Sequence, residues 1–314
     1  MLRIWSSSFV PSVVGVVDAM TPGWLNHHHH PWSLLRARSL SSIKTTNNDD
    51  AVNVERVVRR LNRRIENAVG VFEGVATPSI AGAKAWSRKK TSTPSSSPAQ
   101  TQTQRKLLLW FHGFGDVAGA SWEEFCRAVV DAPDGRGDEV MITCPDAPMR
   151  ATESGVREAR AWFEPRLWVK ANRKESSKWT CDGIEASVET AVRMVNEIER
   201  ERGIPRHRVV LGGFSQGACL ALACAKSELR DVAGVLAVRG YLPNRVTAST
   251  ATGHWPATLI LAGGRDPLVP TDWSLEAGRA TGAQMVMRDD IGHELCVEDV
   301  YRARRWIRER FNES

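Results

Sequence analysis

The sequence predicts an α/β fold with a mostly parallel sheet and helices on both faces. Three observations predict it. Short apolar runs of strand length alternate along residues 105–314 with longer segments of helical periodicity, the pattern of strands joined by covering helices. A glycine-flanked serine stands between one such run and an apolar helix. An aspartate and a histidine follow in the chain, each just beyond a later strand run, where open α/β sheets gather their sites.

Four stretches follow one another along the chain. Residues 1–48 are rich in serine and carry Arg3, Arg36, Arg38 and Lys44 against one acid, Asp18. That composition fits an organelle transit peptide and predicts a mature N-terminus near residues 38–50. His27 to His30 read as low-complexity sequence rather than a metal site. In residues 49–86, Val54, Val57, Val58, Leu61 and Ile65 recur at helical spacing over 51–69, and Arg56, Arg59, Arg60, Arg63 and Arg64 crowd the other face. Such a helix either lies on an anionic membrane or partner, or packs on the domain that follows. Residues 87–104 are polar, with two prolines and no large aliphatic side chain, and read as a flexible linker. Residues 105–314 read as the α/β domain described above.

Within that domain, strands are expected near 107–111, 139–144, 208–213, 233–238, 257–262 and 284–288. Helices are expected near 121–130, 183–201, 216–226, 271–280 and 297–310. Ile184, Val188, Ala191, Val192, Val195 and Ile198 share one face of the second of these, and Gly203 can cap its end. Trp110, Trp122 and Trp162 are expected in the core. Cys219 and Cys224 fall on the apolar helix and read as small core residues. The six cysteines have no C-x-x-C spacing, which suits a reducing compartment and gives no zinc signal.

Gly213-Phe214-Ser215-Gln216-Gly217 fits the G-x-S-x-G nucleophile elbow, in which small residues allow a sharp strand-to-helix turn. Asp266 follows the strand at 257–262, and His293 the strand at 284–288, in the order acid then histidine. Ser215 would attack a carbonyl carbon, His293 would carry the proton, and Asp266 would hold the imidazole. The expected oxyanion donors are the backbone N–H groups of Gln216 and Phe114. His112, at a strand end beside glycines, reads as a loop-ordering residue. Gly113 and Gly115 make no dinucleotide fingerprint, since no G-x-G-x-x-G follows. No metal and no cofactor are expected.

The motifs together resemble the acyl-protein thioesterase and carboxylesterase family. Trp110-Phe111-His112-Gly113-Phe114-Gly115-Asp116 is similar to its L-H-G-L-G-D opening, and Pro145-Asp146-Ala147-Pro148 to its P-x-A-P turn. Ala161-Trp162-Phe163-Glu164 resembles S-W-[FY]-D. Gly203-Ile204-Pro205, leading to Gly212-Gly213-Phe214-Ser215-Gln216-Gly217, resembles G-I-P…G-G-F-S-Q-G. Gly264 to Pro270 resembles G-x-x-D-P-L-V-P, and Gly292-His293 the final G-H. The resemblance implies an α/β-hydrolase fold without a large cap domain. It also implies a cytoplasmic serine hydrolase of acyl esters or thioesters, including S-acylated protein and lysophospholipids. The transit-peptide reading instead places the chain in a mitochondrion or plastid. Trp162, Arg239 and Leu268 are candidate substrate contacts.

Two departures from the family qualify this. The loop 149–160 is largely apolar in the thioesterases, whereas five of its twelve residues here are charged. A polar wall favours a shorter acyl group, since each buried methylene is worth only about 0.8 kcal/mol. Arg239 replaces a small residue and either meets an anionic substrate group or pairs with a carboxylate such as Glu294. The net charge of +6 lies in the leader: residues 1–104 hold 13 Lys and Arg against 6 Asp and Glu, and the remainder 29 against 30. A nucleic-acid role has no motif to support it. A docking protein working through residues 51–69 is the alternative outside enzymes. The complete triad argues against it, and Ser215→Ala separates the two. No run of 18 apolar residues predicts a membrane span.

Overall fold

A computed structural model describes residues 48–72, 105–130, 140–151, 158–164, 181–243 and 254–313. The leader with its histidine run and the linker at 87–104 lie outside these residues. Six strands form one sheet: β1 (Lys106–Phe111), β2 (Val140–Thr143), β5 (Val209–Phe214), β6 (Gly234–Val238), β7 (Thr258–Gly263) and β8 (Gln284–Arg288). Their order is β2-β1-β5-β6-β7-β8, and every neighbouring pair is parallel. All six lie within about a residue of the expected positions because their apolar runs are unbroken. A further pair was not expected: β3 (Met149–Ala151) and β4 (Glu158–Arg160) make a small antiparallel hairpin.

Side chains alternate across each strand, so β1 feeds both cores. Leu107, Leu109 and Phe111 pack with α3 (Ile184–Arg202), α4 (Gln216–Lys226) and α5 (Thr271–Thr281). Leu108 and Trp110 pack with α1 (Asn48–Phe72), α2 (Gly119–Val130) and α6 (Val297–Glu313). Helices therefore cover both faces, as expected. Gly203 ends α3 in the left-handed region and donates its N–H to Glu199 O. Trp110, Trp122 and Trp162 are buried, and Cys219 and Cys224 lie fully inside α4.

The structure decides between the two readings of the basic helix. Val54, Val57, Val58, Leu61 and Ile65 are buried in the same core as Trp122 and Phe125. Burial of each such side chain stabilises by about 1.5–3 kcal/mol, as an upper estimate. The apolar stripe of residues 51–69 is therefore not available to a membrane, which corrects that expectation. Two of its arginines also pair with the protein: Arg60 with Glu124 at the surface, and Arg64 with the buried Asp116. Among the described residues no helix is long and apolar enough to cross a membrane.

Strand order reverses between β1, which leads to β2 on one side, and β5, which pairs on its other side. Such a switch point opens a crevice at the carboxyl ends of the strands. The loops after β1, β5, β7 and β8 all emerge at that edge because the sheet is parallel.

Candidate active site

Ser215 stands at the β5–α4 junction with φ 54° and ψ −119°, a backbone that L-residues rarely adopt. The turn is held on both sides. Ser215 N–H donates to Val238 O at 2.9 Å, and Ser215 O accepts from Cys219 N at 3.1 Å. The glycines are required by close approach. A Cβ at Gly213 would lie 2.3 Å from Gly217 C, and one at Gly217 only 2.0 Å from Phe111 O. The strand, the elbow and the helix can meet this tightly only without those side chains.

The three expected partners come together. His293 Nε2 lies 2.9 Å from Ser215 Oγ, and His293 Nδ1 lies 2.7 Å from Asp266 Oδ2. The other oxygen of Asp266 accepts the N–H groups of Leu268 and Val269, each at 2.8 Å. Those two bonds orient the carboxylate, which faces Nδ1 of the imidazole while Nε2 faces the serine. Phe214 packs its ring on His293 with centroids 5.1 Å apart, and Trp122 backs Phe214 at 5.6 Å. The base is thus fixed by aromatic packing as well as by hydrogen bonds. A serine, a histidine with its accepting nitrogen toward it, and a buried carboxylate can carry out acyl transfer.

Phe114 is half-buried in the turn after β1, and Gln216 opens α4. The turn runs beside the serine: a Cβ on Gly113 would sit 3.5 Å from Ser215 Cβ. Gln216 is the first residue of α4, and the first amides of a helix have no intrahelical acceptor. His112 orders this turn. Its Nδ1 donates to Gly113 O at 2.7 Å, and its Nε2 accepts from Ala147 N at 3.0 Å. Burial pushes its pKa below the ordinary histidine value, which keeps the ring neutral although Asp146 lies 4.0 Å away.

Two candidate substrate contacts are corrected. Trp162 is 2% exposed; its Nε1 donates to His112 O at 2.8 Å, and its backbone N–H donates to Gln216 Oε1 at 2.8 Å. It joins the turn after β1 to the elbow from a buried position. Arg239 is 0% exposed and pairs with Asp299 at 2.7 Å, not with substrate and not with Glu294. Glu294 accepts the N–H of Gly292 at 3.0 Å instead. Leu268 is half-buried beside Asp266. Of the charged loop 149–160, residues 152–157 lie outside the described residues. Arg150 turns onto the carbonyls of Ala161, Trp162 and Gly183, and Arg160 holds Ala147 O at 2.9 Å. Their charges brace the hairpin.

The side chain of Gln216 was not anticipated. It accepts from Trp162 N and donates to Phe163 O at 3.0 Å, tying the elbow to a segment more than fifty residues away. Nor was Asp116, whose Oδ2 accepts Trp122 Nε1 at 2.6 Å and whose Oδ1 accepts Val117 N at 2.8 Å. Its place in the motif beside the oxyanion turn was the only signal. Among the described residues no group of histidine, cysteine and carboxylate side chains could hold a metal ion.

Comparison with known proteins identifies the family and the fold. The family model described as Phospholipase/Carboxylesterase matches residues 96–309. An acyl-protein thioesterase 1 homolog of Dictyostelium discoideum is 27% identical over 207 residues, 63% of this chain and 87% of its own length. Acyl-protein thioesterase 1 of Saccharomyces cerevisiae is 27% identical over 189 residues, 57% of this chain and 78% of its own length. The fold is also that of Zea mays acyl-protein thioesterase 2, with TM-score 0.51 and 20% identity, over 68% of this chain and 97% of that one. Arabidopsis thaliana SOBER1 gives TM-score 0.51 and 18% identity, over 66% and 99%. The chain belongs to the phospholipase/carboxylesterase family of α/β-hydrolases and is a serine hydrolase of esters and thioesters.

Proposed function

We propose that this hydrolase removes acyl groups from thioesters and carboxylic esters, S-acylated protein among them, with Ser215 as nucleophile, His293 as general base and acid, and Asp266 as its orienting carboxylate. The carrying observation is the unbroken line Ser215 Oγ, His293 Nε2, His293 Nδ1, Asp266 Oδ2, at 2.9 and 2.7 Å. Ser215 Oγ attacks the acyl carbon as its proton passes to His293 Nε2. The N–H groups of Gln216 and Phe114 stabilise the oxyanion, and each such donor is worth about 10²–10³ in rate. As the acyl-enzyme forms, the bond to the leaving thiolate or alkoxide breaks and His293 returns the proton to it. Water then repeats the cycle and frees the acid. Leu268, half-buried next to Asp266, supplies apolar surface for the acyl chain.

The thioesterase names of the relatives support an acylated protein as substrate. Short-chain ester hydrolysis is the second reading, favoured by Glu158 exposed on the hairpin. Rates against acyl-chain length, in matched ester and thioester series with Ser215→Ala as blank, test both. A Ser215-dependent optimum at long chains is expected. An optimum at short chains moves the assignment to a small-ester carboxylesterase. Equal turnover by the Ser215→Ala chain overturns the mechanism.

A further inference from the structure

Helix α1 lies outside the residues that match the family, yet it touches two loops of the site. Asn62 meets the backbone of Leu295 with both halves of its amide. Its Nδ2 donates to Leu295 O at 2.8 Å, and its Oδ1 accepts from Leu295 N at 2.8 Å. Leu295 is two residues past His293 and its side chain is buried in the core. Arg64 meets Asp116 with Nε at 3.0 Å and with Nη2, both on Oδ1. Asp116 is two residues past Phe114. At about 100° per residue, Asn62 and Arg64 flank the buried Leu61–Ile65 stripe on opposite sides. One helix therefore reaches the histidine loop on one flank and the oxyanion turn on the other. The fit is close there: a Cβ on Gly115 would touch Ala68 Cβ at 3.6 Å.

We infer that α1 is a brace for the hydrolytic site, in which Asn62 positions the His293 loop and Arg64 positions the Phe114 turn. The inference rests on the roles proposed above for those two residues. Attachment of the helix does not need these contacts. Its buried aliphatic stripe holds it, as do Asp50 to Arg304 at 2.7 and 3.0 Å and Arg60 to Glu124. The chemistry of Asn62 is also specific. Only a side chain with a donor and an acceptor side by side satisfies one residue's C=O and N–H together. The Arg64 charge stabilises an Asp116 carboxylate that already holds Val117 N and Trp122 Nε1, so the turn is set from three directions. Loss of the Asn62 contact leaves His293 present but free to shift, loss of the Arg64 contact does the same for the Phe114 turn, and shifts of about an ångström cost on the order of 10²-fold in rate.

The test uses the full chain and a small p-nitrophenyl ester, with active sites titrated to completion by a fluorophosphonate. Asn62→Ala and Arg64→Ala are expected to lower kcat per titrated site by about tenfold or more, with KM changed by less than about twofold. Arg64→Lys keeps the charge without the two-nitrogen contact and is expected between them and the unaltered chain. Arg60→Ala, which removes a surface pair to Glu124 of α2 and no contact to either loop, is expected to keep its kcat per titrated site. If Asn62→Ala and Arg64→Ala lose only melting temperature or titratable fraction, the helix is structural and the brace is overturned. Undiminished turnover by Ser215→Ala would instead overturn the triad reading itself, so the two failures are distinguishable.

Discussion

Arg239 and Asp299 form an ion pair removed from solvent, with Nη2 to Oδ2 at 2.7 Å and side chains 0% and 2% exposed. Arg239 ends β6 with φ 54°, and its Nη1 donates to Leu261 O at 2.9 Å. Asp299 sits in the first turn of α6, where a negative charge suits the helix dipole, and also accepts Cys296 N at 2.9 Å. The pair therefore ties the centre of the sheet to the segment that runs from His293 into α6.

Breaking one partner of such a pair leaves the other buried and uncompensated. Arg239→Met is expected to destabilise by about 3–5 kcal/mol in urea unfolding. The double variant Arg239→Met/Asp299→Asn is expected to recover a large part of that, since a pair replaced whole costs less than a pair broken. If the double variant is as unstable as the sum of the singles, the two residues are not coupled. An arginine serving substrate would instead leave stability unchanged and raise KM.

Most strands and helices of the sheet are legible because their signal is local. Val209 to Phe214 has no charged or polar side chain, Gly213 and Gly217 flank the serine that follows it, and α4 continues as an apolar helix. The triad is legible for the same reason, since each member follows a readable strand. Partners are a different matter. Periodicity shows that Leu61 and Ile65 face inward but not what covers them, and Arg60 and Arg64 read as a solvated face although they meet Glu124 and Asp116, 64 and 52 residues away. Arg239 calls for a carboxylate, but Glu294 is as near as Asp299 in the chain and only the fold distinguishes them. Met149 to Ala151 is too short to show a strand period, so the hairpin is invisible until its partner is in place.

His112 gives stability a pH dependence of known sign. Burial holds its folded-state pKa below the ordinary value of 6.5, so in the window below 6.5 the unfolded chain binds the extra proton and the folded chain does not. The contribution is full above that value and is lost progressively as the pH falls beneath it. Urea midpoints are expected to fall between pH 7.5 and pH 5, and His112→Gln is expected to flatten that dependence. A variant with the same slope as the unaltered chain would show that His112 carries none of it.

At Gly217 the elbow admits no side chain. The added methyl of Gly217→Ala would meet Phe111 O at 2.0 Å and His112 O at 2.6 Å, both backbone atoms that no rotamer change can move. Separation of β1 from α4 is the only relief, and it moves the oxyanion turn as well. Overpacking of a core costs about 1–3 kcal/mol and sometimes more. Gly217→Ala is expected to lose that stability together with at least about a hundredfold of kcat, the scale of one lost oxyanion donor. A fully active Gly217→Ala enzyme would mean the contact is not held in solution.

The amide of Gln216 has two separable jobs. Its backbone N–H survives any substitution except proline, so an alanine there leaves the proposed oxyanion donor in place. What Gln216→Ala removes is the link from the elbow to Trp162 N and Phe163 O, two buried backbone groups whose loss of a partner costs about 1–3 kcal/mol each. Gln216→Ala is therefore expected to cut stability more than kcat. Gln216→Glu keeps an acceptor for Trp162 N but, once ionised, directs an acceptor at Phe163 O, so it behaves as a match only while protonated. Its rate relative to the unaltered enzyme is expected to fall as pH rises from 5 to 8. A constant ratio across that range would mean that the side chain turns out to solvent and that Trp162 is held by its other contacts, to His112, Arg150 and Ser187.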